Sequence, residues 1–340
     1  MLKQILFLTL PVLIIGCAKP TAPESLTPGS GGYEIAARLV TPGYAQDLEL
    51  NDTLIYVAQG EGGIAVVSVA VPTNPRLLSI CYEATRGYSY KIARRDSIVF
   101  LATGGFGINT FNVGNPYAPV HMLHSGGANS TNEVAIFGTW LLEAKGEAGI
   151  RFDDLSEVDP GYMNSKGTIT TPGYAHGMTT LADSTLLVAC GEMGLATYDL
   201  RDVGWYGGEG GGYYDTRKQY ASWVDLPGYA VHVATMDNRR VAFVACGTAG
   251  VQVVDFSDTS HLSVIGGYST GGYAKEVAYS NGRLYVTTEL RGLQILSVSN
   301  TGSLALIGVV ETKYALGLAV SQHYVYVADQ TEGLVVVKIP

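Results

Sequence analysis

Apolar residues in this chain come in short bursts, each broken by glycine, asparagine, aspartate or serine. The stretch from Phe243 to Asp258, FVACGTAGVQVVDFSD, shows the unit: an apolar run, a glycine turn, an alternating apolar run and an Asp/Ser stop. The glycine before the second run recurs at Gly63, Gly107, Gly149, Gly194, Gly250, Gly292 and Gly333, at intervals of 44, 42, 45, 56, 42 and 41 residues. Seven copies at a near-fixed period mean stacked supersecondary units. In the fifth copy the pattern predicts strands at 231–236, 241–246, 251–256 and 262–268. The breaks between them hold Asp237-Asn238, Gly247 to Gly250 and Ser257-Asp258, all residues that turn a chain. The other copies follow, as at 54–58 with 64–69, 98–102 with 108–113 and 284–287 with 293–298, and no stretch carries a helical period. The pattern therefore predicts an all-β, seven-bladed β-propeller.

Ring closure follows from the same repeat. The last copy ends at Val335-Val336-Val337-Lys338-Ile339-Pro340, after its third strand. The segment 33–41, YEIAARLVT, precedes the first Gly-Tyr-Ala as 262–270 precedes the sixth. The amino-terminal strand is thus expected to complete the last blade, hiding edges that an open stack would expose.

Ahead of that strand the pattern changes twice. Lys3 and the apolar run Ile5 to Ile15 have the form of a secretory signal, too short to span a bilayer, which needs about 20 residues. The run ends Leu13-Ile14-Ile15-Gly16-Cys17, which resembles a bacterial lipobox, with Ile14 where that motif usually has Leu. The resemblance implies cleavage before Cys17 and a lipid on its sulfur. The next segment, AKPTAPESLTPGSGG, has the composition of a flexible tether. The expected organisation is a signal peptide at 1–16, lipidated Cys17 and tether at 17–32, and a propeller at 33–340. This implies a lipid-anchored, extracytoplasmic protein of the cell envelope, at the outer membrane or cell surface.

Composition agrees with this organisation. Charged residues are only 15% of the chain, against roughly 25% in ordinary soluble proteins. Glycine (43) and tyrosine (22) fill the difference, supplying turns and strands. A net charge of −9 without a basic stripe argues against nucleic acid as a partner. With Cys17 acylated, Cys81, Cys190 and Cys246 remain, an odd number that reads as buried thiols rather than disulfides.

The unit VQVVDFSD at 251–258, IAVVSVAVP at 64–72, TPGYA at 41–45 and 171–175, and YVADQTEGL at 326–334 resembles the LVIVD-repeat propellers of bacterial secreted proteins. The third copy departs from it, with Ala128-Asn129-Ser130 where the others have Gly-Tyr-Ala. The resemblance implies fold and location but no single chemistry, and no cofactor is expected.

Candidate function lies where propeller connectivity gathers loops. The Gly-Tyr-Ala links and the glycine turns should emerge at one end, bringing together Tyr44, Tyr88, Tyr174, Tyr229, Tyr273 and Tyr314, with Glu61, Glu147, Glu192, Thr248 and Glu332. Such a mouth could bind a sugar chain, a cationic peptide or an aromatic ligand; equally, the tyrosines could be spacers between blades. At the start of each innermost strand a variable column reads Asp47, Lys91, Glu133, Gly177, His232, Glu276, Gly317. Asp47, Glu133, His232 and Glu276 are candidate ligands for a polar molecule or a divalent cation, although members across the channel look too distant to share one ion.

Other apparent motifs are set aside. His121 and His124, three apart on one strand, should face opposite ways, and His176 and His232 fall in adjacent columns. Asp153-Asp154 reads as a strand terminator, and Gly207 to Gly212 opens no helix. The lengthened fourth copy inserts Trp205, Tyr206, Tyr213 and Tyr214 between its third and fourth strands, aromatic groups suited to contact with a protein or glycan. The expected role is a membrane-anchored binding or assembly module for envelope protein or glycan partners. The alternatives are a hydrolase or lyase at the acidic ring and a structural component of the cell surface.

Overall fold

The structure is a computed structural model that describes residues 29–82, 87–125, 130–156, 163–202, 205–206, 213–214, 222–236 and 239–340. Cys17, with the signal and nearly all of the tether, lies outside these residues. Each apolar run forms a strand with both faces covered. In the first blade Ile55, Val57, Ala65 and Val67 face Tyr326, Leu334 and Val336 of the seventh. The alternate residues Tyr56, Ala58, Ile64 and Val66 face Ile92, Val99, Leu101 and Phe111 of the second. Two-sided burial is why the middle strands read as unbroken apolar runs.

Seven four-stranded antiparallel sheets repeat this arrangement. Their innermost strands are Asp47–Asn51, Lys91–Arg95, Glu133–Phe137, Gly177–Thr180, His232–Met236, Glu276–Ser280 and Ala315–Val320. Each packs beside the next, and the seventh packs against the first, so the sheets close into a ring as expected. Helical structure among the described residues is confined to short 3₁₀ turns, as at Leu200–Asp202.

The closure is the predicted one. Glu34–Leu39 pairs antiparallel with Gly333–Lys338, from Glu34 opposite Lys338 to Leu39 opposite Leu334. Tyr33, buried, sets its ring edge-on to Tyr285 of the sixth blade at 6.4 Å. Cys190 and Cys246 are buried thiols outside any disulfide, and burial pushes both up to about 12.

Two expectations are corrected by register. The outer strand of the second blade, Val120–Ser125, slips one residue against its partner, so His121 sits opposite Phe111 and His124 opposite Asn109. Partners two apart lie on one face, so the bulge brings His121 and His124 to the same side. A similar shift recurs in the outer strands of the first, third, fifth, sixth and seventh blades. In the third copy, Thr131 bridges Gly104 as Ala175 bridges Gly146, so Ser130 holds the tyrosine position, one residue later than the sequence alignment placed it.

In the fourth blade the insertion forms a short hairpin, Trp205 opposite Tyr214 and Tyr206 opposite Tyr213. Its second arm lies beside the outer strand of the third blade, Asn164–Ile169.

The latch yields a test. Gly333 has φ +78°, and a Cβ there would lie 2.6 Å from the Thr41 amide nitrogen and against the Leu39 carbonyl. Gly333→Ala should lower stability by about 2 kcal/mol, read by denaturant unfolding, because it strains a left-handed turn and pushes the closing strand away.

Candidate functional site

Glycine turns of one blade meet the link of the next at the mouth. Gly60, Gly146, Gly191 and Gly247 all adopt φ between +54° and +59°. A Cβ on each would meet the ring of Tyr88, Tyr174, Tyr229 or Tyr273 respectively, within 2.6 to 2.9 Å. The residue after each tyrosine then bridges back to the same glycine, as Ala175 N–H donates to Gly146 O at 3.0 Å and Ala274 N–H to Gly247 O at 2.9 Å. These four tyrosines are therefore spacers between blades at least as much as ligand contacts. Tyr44 stands exposed at 58%.

Two turns break the glycine rule. At the equivalent position the sixth blade has Glu289, a non-glycine held at φ +38°, and the seventh has Gln330. The seventh turn is shaped instead by the buried Asp329 carboxylate, which accepts from the Thr331, Glu332 and Tyr314 amides at 2.9, 2.8 and 2.6 Å. Both exceptional side chains line a cavity of about 520 Å³ at the channel mouth. Tyr88 and Tyr314 of the predicted set also line it, whereas Tyr44, Tyr174, Tyr229 and Tyr273 do not.

The predicted acidic column is more deeply buried than expected. Asp47, Glu133 and Glu276 are only 5–6% exposed; Glu276 and Lys91 line the cavity, and Asp47 and Glu133 do not. The Lys91 ammonium pairs with Glu276 and lies 3.5 Å from Asp47 Oδ1 and 3.9 Å from Glu133 Oε2. Members of the ring thus do meet across the channel, through the long lysine side chain. Among the described residues no group of three or more His, Cys, Asp or Glu could hold a metal ion. The position between the carboxylates is filled by an ammonium.

The same column staples neighbouring blades. Asp47 Oδ2 accepts from Ile92 N–H at 3.1 Å, Glu276 Oε1 from Leu318 N–H at 3.2 Å, and His232 Nδ1 from Val277 N–H at 3.4 Å. Each takes an edge donor that the inner strand would otherwise leave unpaired. Glu133 turns back onto its own neighbour, Val134 N–H, at 3.2 Å. Gly177 and Gly317 stand where backbones close up: a Cβ at Gly317 would sit 2.6 Å from Asp47 Oδ1, and one at Gly177 3.0 Å from His232 Cα.

Burial and crowding divide the protons. Burial opposes the Lys91 charge, but Asp47, Glu276 and Glu133 hold it above its ordinary value. Burial also raises Asp47 well above the carboxylate range and Glu133 to about 7; Lys91 works against both shifts, and Glu276 adds to them. Glu276 goes the other way: against burial, the charge and hydrogen bond of Lys91 keep it low and ionised. His232 is neutral, pushed down by burial to about 4. One ion pair, Lys91 with Glu276, therefore sits beside two carboxyl groups that resist ionisation.

The residue column just before the predicted one reaches the cavity. Gln46, Tyr90, Asn132, His176, Val231, Lys275 and Leu316, one from each blade, all line it. This column is as variable as its neighbour, so the sequence offered a choice of two; all seven of its members line the cavity, against Lys91 and Glu276 of the later one. Glu289 and Gln330 carried a clearer signal, since glycine holds their position in the five other turns.

With the geometry in view, comparisons place the chain. A family model of the LVIVD repeat matches residues 42–83, 227–270, 271–312 and 313–339. The chain carries LVIVD repeats. Among solved structures, the WD40 repeats of RRP9 match at 11% identity with TM-score 0.69, covering 92% of this chain and 99% of that one. The WD40 propeller domain of Doa1 matches at 12% and 0.65, covering 91% and 97%. The computationally designed Ika8 protein matches at 9% and 0.61, covering 87% and 83%. At these identities the likeness is one of fold alone. No curated protein matches the chain.

The third blade of this LVIVD-repeat chain departs from its neighbours inside the core. Where the first blade has Val57, Ala65 and Val67, it has Glu143, Arg151 and Asp153. Glu143 Oε2 accepts from Thr131 Oγ1 at 2.9 Å and Lys145 Nζ at 3.3 Å, and Arg151 pairs with Asp153 at 2.8 Å. Asp153 is thus a fully buried member of an ionic layer, raised by burial and by Glu143 to about 7, not a strand terminator. Asp154 alone plays that part, accepting from Ser156 N–H at 2.8 Å.

The charge cluster makes two opposite predictions. Glu133 has a folded value near 7, above its ordinary 4.5, so ionising it opposes folding. Wild type should therefore lose melting temperature relative to Glu133→Gln as pH rises from 5 to 8. Glu276 is lowered, so its contribution is present above 4.5 and is lost as pH falls through its folded value. Glu276→Gln should cost about 3 kcal/mol at pH 8, and the gap should close on acidification.

Proposed function

We propose that this chain is a lipid-anchored, extracytoplasmic binding module that takes its partner at the tyrosine mouth. The observation that carries this reading is the break in the repeat at Glu289. A non-glycine in left-handed backbone costs on the order of 1 kcal/mol or more and persists where something else favours it. Here the strained residue puts a carboxylate on the wall of a cavity whose size falls within the roughly 300–1,000 Å³ of small-ligand sites. The signal segment, Cys17 and the tether support a body held off a membrane surface with one face free to meet an envelope protein or glycan. The paired aromatic strands Trp205–Tyr206 and Tyr213–Tyr214 are a second candidate contact on the rim of the third and fourth blades.

The alternative of a hydrolase or lyase at Asp47, Glu133, His232 and Glu276 is disfavoured by their commitments. Three of the four hold backbone donors of the next blade, and the three carboxylates are ion-paired with Lys91.

Glu289→Gly restores the residue that five other turns use, so it should leave the melting temperature unchanged or raise it. If the mouth is the binding face, capture of partners from the native envelope should nevertheless be lost with this variant. Capture equal to wild type would remove the mouth from the reading. The anchor is tested separately: labelled fatty acid should enter the wild-type chain in a bacterial host and fail to enter Cys17→Ser.

A further inference from the structure

Charge around the mouth cavity is distributed unevenly. Lys91 is neutralised by Glu276. Lys275, which immediately precedes the sixth inner strand and lines the same cavity, has no carboxylate within ion-pair distance among the described residues. Glu289 lines the same cavity and favours the Lys275 charge, but forms no ion pair with it. The cavity therefore presents one ammonium without a directly paired carboxylate.

Its remaining polar wall consists of groups that match hydroxyls. The amides of Gln46 and Gln330 each donate and accept, while the Asn132 amide is already held, donating to Ala175 O at 3.0 Å and accepting from Ser130 Oγ at 3.3 Å. Tyr88 and Tyr90 stand with ring centroids 5.0 Å apart at 42°, offering apolar faces with polar tips. We propose that the mouth cavity receives a uronate residue of an acidic glycan, its carboxylate on Lys275, its hydroxyls on the amides and its ring against the tyrosines. This assignment rests on the mouth being the binding face.

Charge selects among anions. A dianionic phosphate ester would bring two negative charges to one free lysine, with Glu289 and Glu276 on the same wall. A monoanionic carboxylate balances the lysine and leaves less repulsion. A neutral sugar would desolvate the ammonium without pairing it. The lysine is already partly stripped of water: burial and then Lys91 lower its pKa, while Glu289, Glu276 and Glu133 act in the opposite sense. An ammonium so placed gains more from an arriving carboxylate than one in bulk water.

The experiment is calorimetric titration of the full chain in detergent with trigalacturonate, neutral galactotriose and the peptide triglutamate. Trigalacturonate should bind at least tenfold more tightly than galactotriose. Lys275→Gln, shown folded by thermal unfolding, should abolish that preference, and Lys275→Arg should retain part of it. Equal affinity for the acidic and neutral sugars, or no effect of Lys275→Gln, would overturn the assignment. Lys275-dependent binding of triglutamate without binding of the uronate would also overturn it, in favour of an acidic peptide. If no sugar binds while Glu289→Gly still abolishes envelope capture, the uronate falls and the mouth stands. If envelope capture is also insensitive to Glu289→Gly, both fall.

Discussion

The contact on which this structure depends is the short bridge from the glycine turn of one blade to the link of the next. A glycine in left-handed backbone lets a tyrosine ring lie directly over it, and the following small residue hydrogen-bonds back to that glycine. This fixes the spacing of neighbouring sheets at the mouth, while the apolar faces of the middle strands fix it in the body. Repeating one contact around an axis closes a ring, and the carboxyl-terminal blade is completed by the amino-terminal strand. The repeating tyrosines thus follow from an architectural need before any ligand is considered.

Channel-lining strands have a second need, because their inner edges carry donors with no sheet partner. The column of Asp47, His232 and Glu276 meets it by accepting amides from the next blade. Asp47 and Glu276, so placed, repel each other and Glu133, and Lys91 relieves the repulsion from the second blade. Removing charges from water is costly, so the arrangement is stable only because the ammonium and the backbone amides replace that water together. The outcome is a buried charge cluster, two of whose members, Lys91 and Glu276, reach the cavity lining.

Function is then read from departures. Glu289 and Gln330 interrupt the glycine rule, Ser130 interrupts the tyrosine rule, and Lys275 brings a cation to the wall. The ionic layer of Glu143, Lys145, Arg151 and Asp153 is a departure of another kind, inside a blade interface and away from the cavity lining. The departures in the third blade and the insertion in the fourth fall outside the residues matched by the LVIVD family model.

The primary sequence by itself determined the number of blades, the strand order and the latch, because each follows from periodicity and from counting strands. It also placed the links and turns at one end, since antiparallel connectivity leaves no choice. It could not decide which of two adjacent columns supplies most of the cavity lining, because both vary and only the assembled ring shows which members reach it. It misjudged His121 and His124, because a one-residue bulge reverses a face without changing the apolar pattern. It misjudged Asp153, because a buried carboxylate with an arginine partner looks, as a string of letters, like an exposed strand end. That Lys91 joins carboxylates of the first, third and sixth blades was a tertiary decision, made by the length of a side chain reaching across a channel whose width no local pattern encodes.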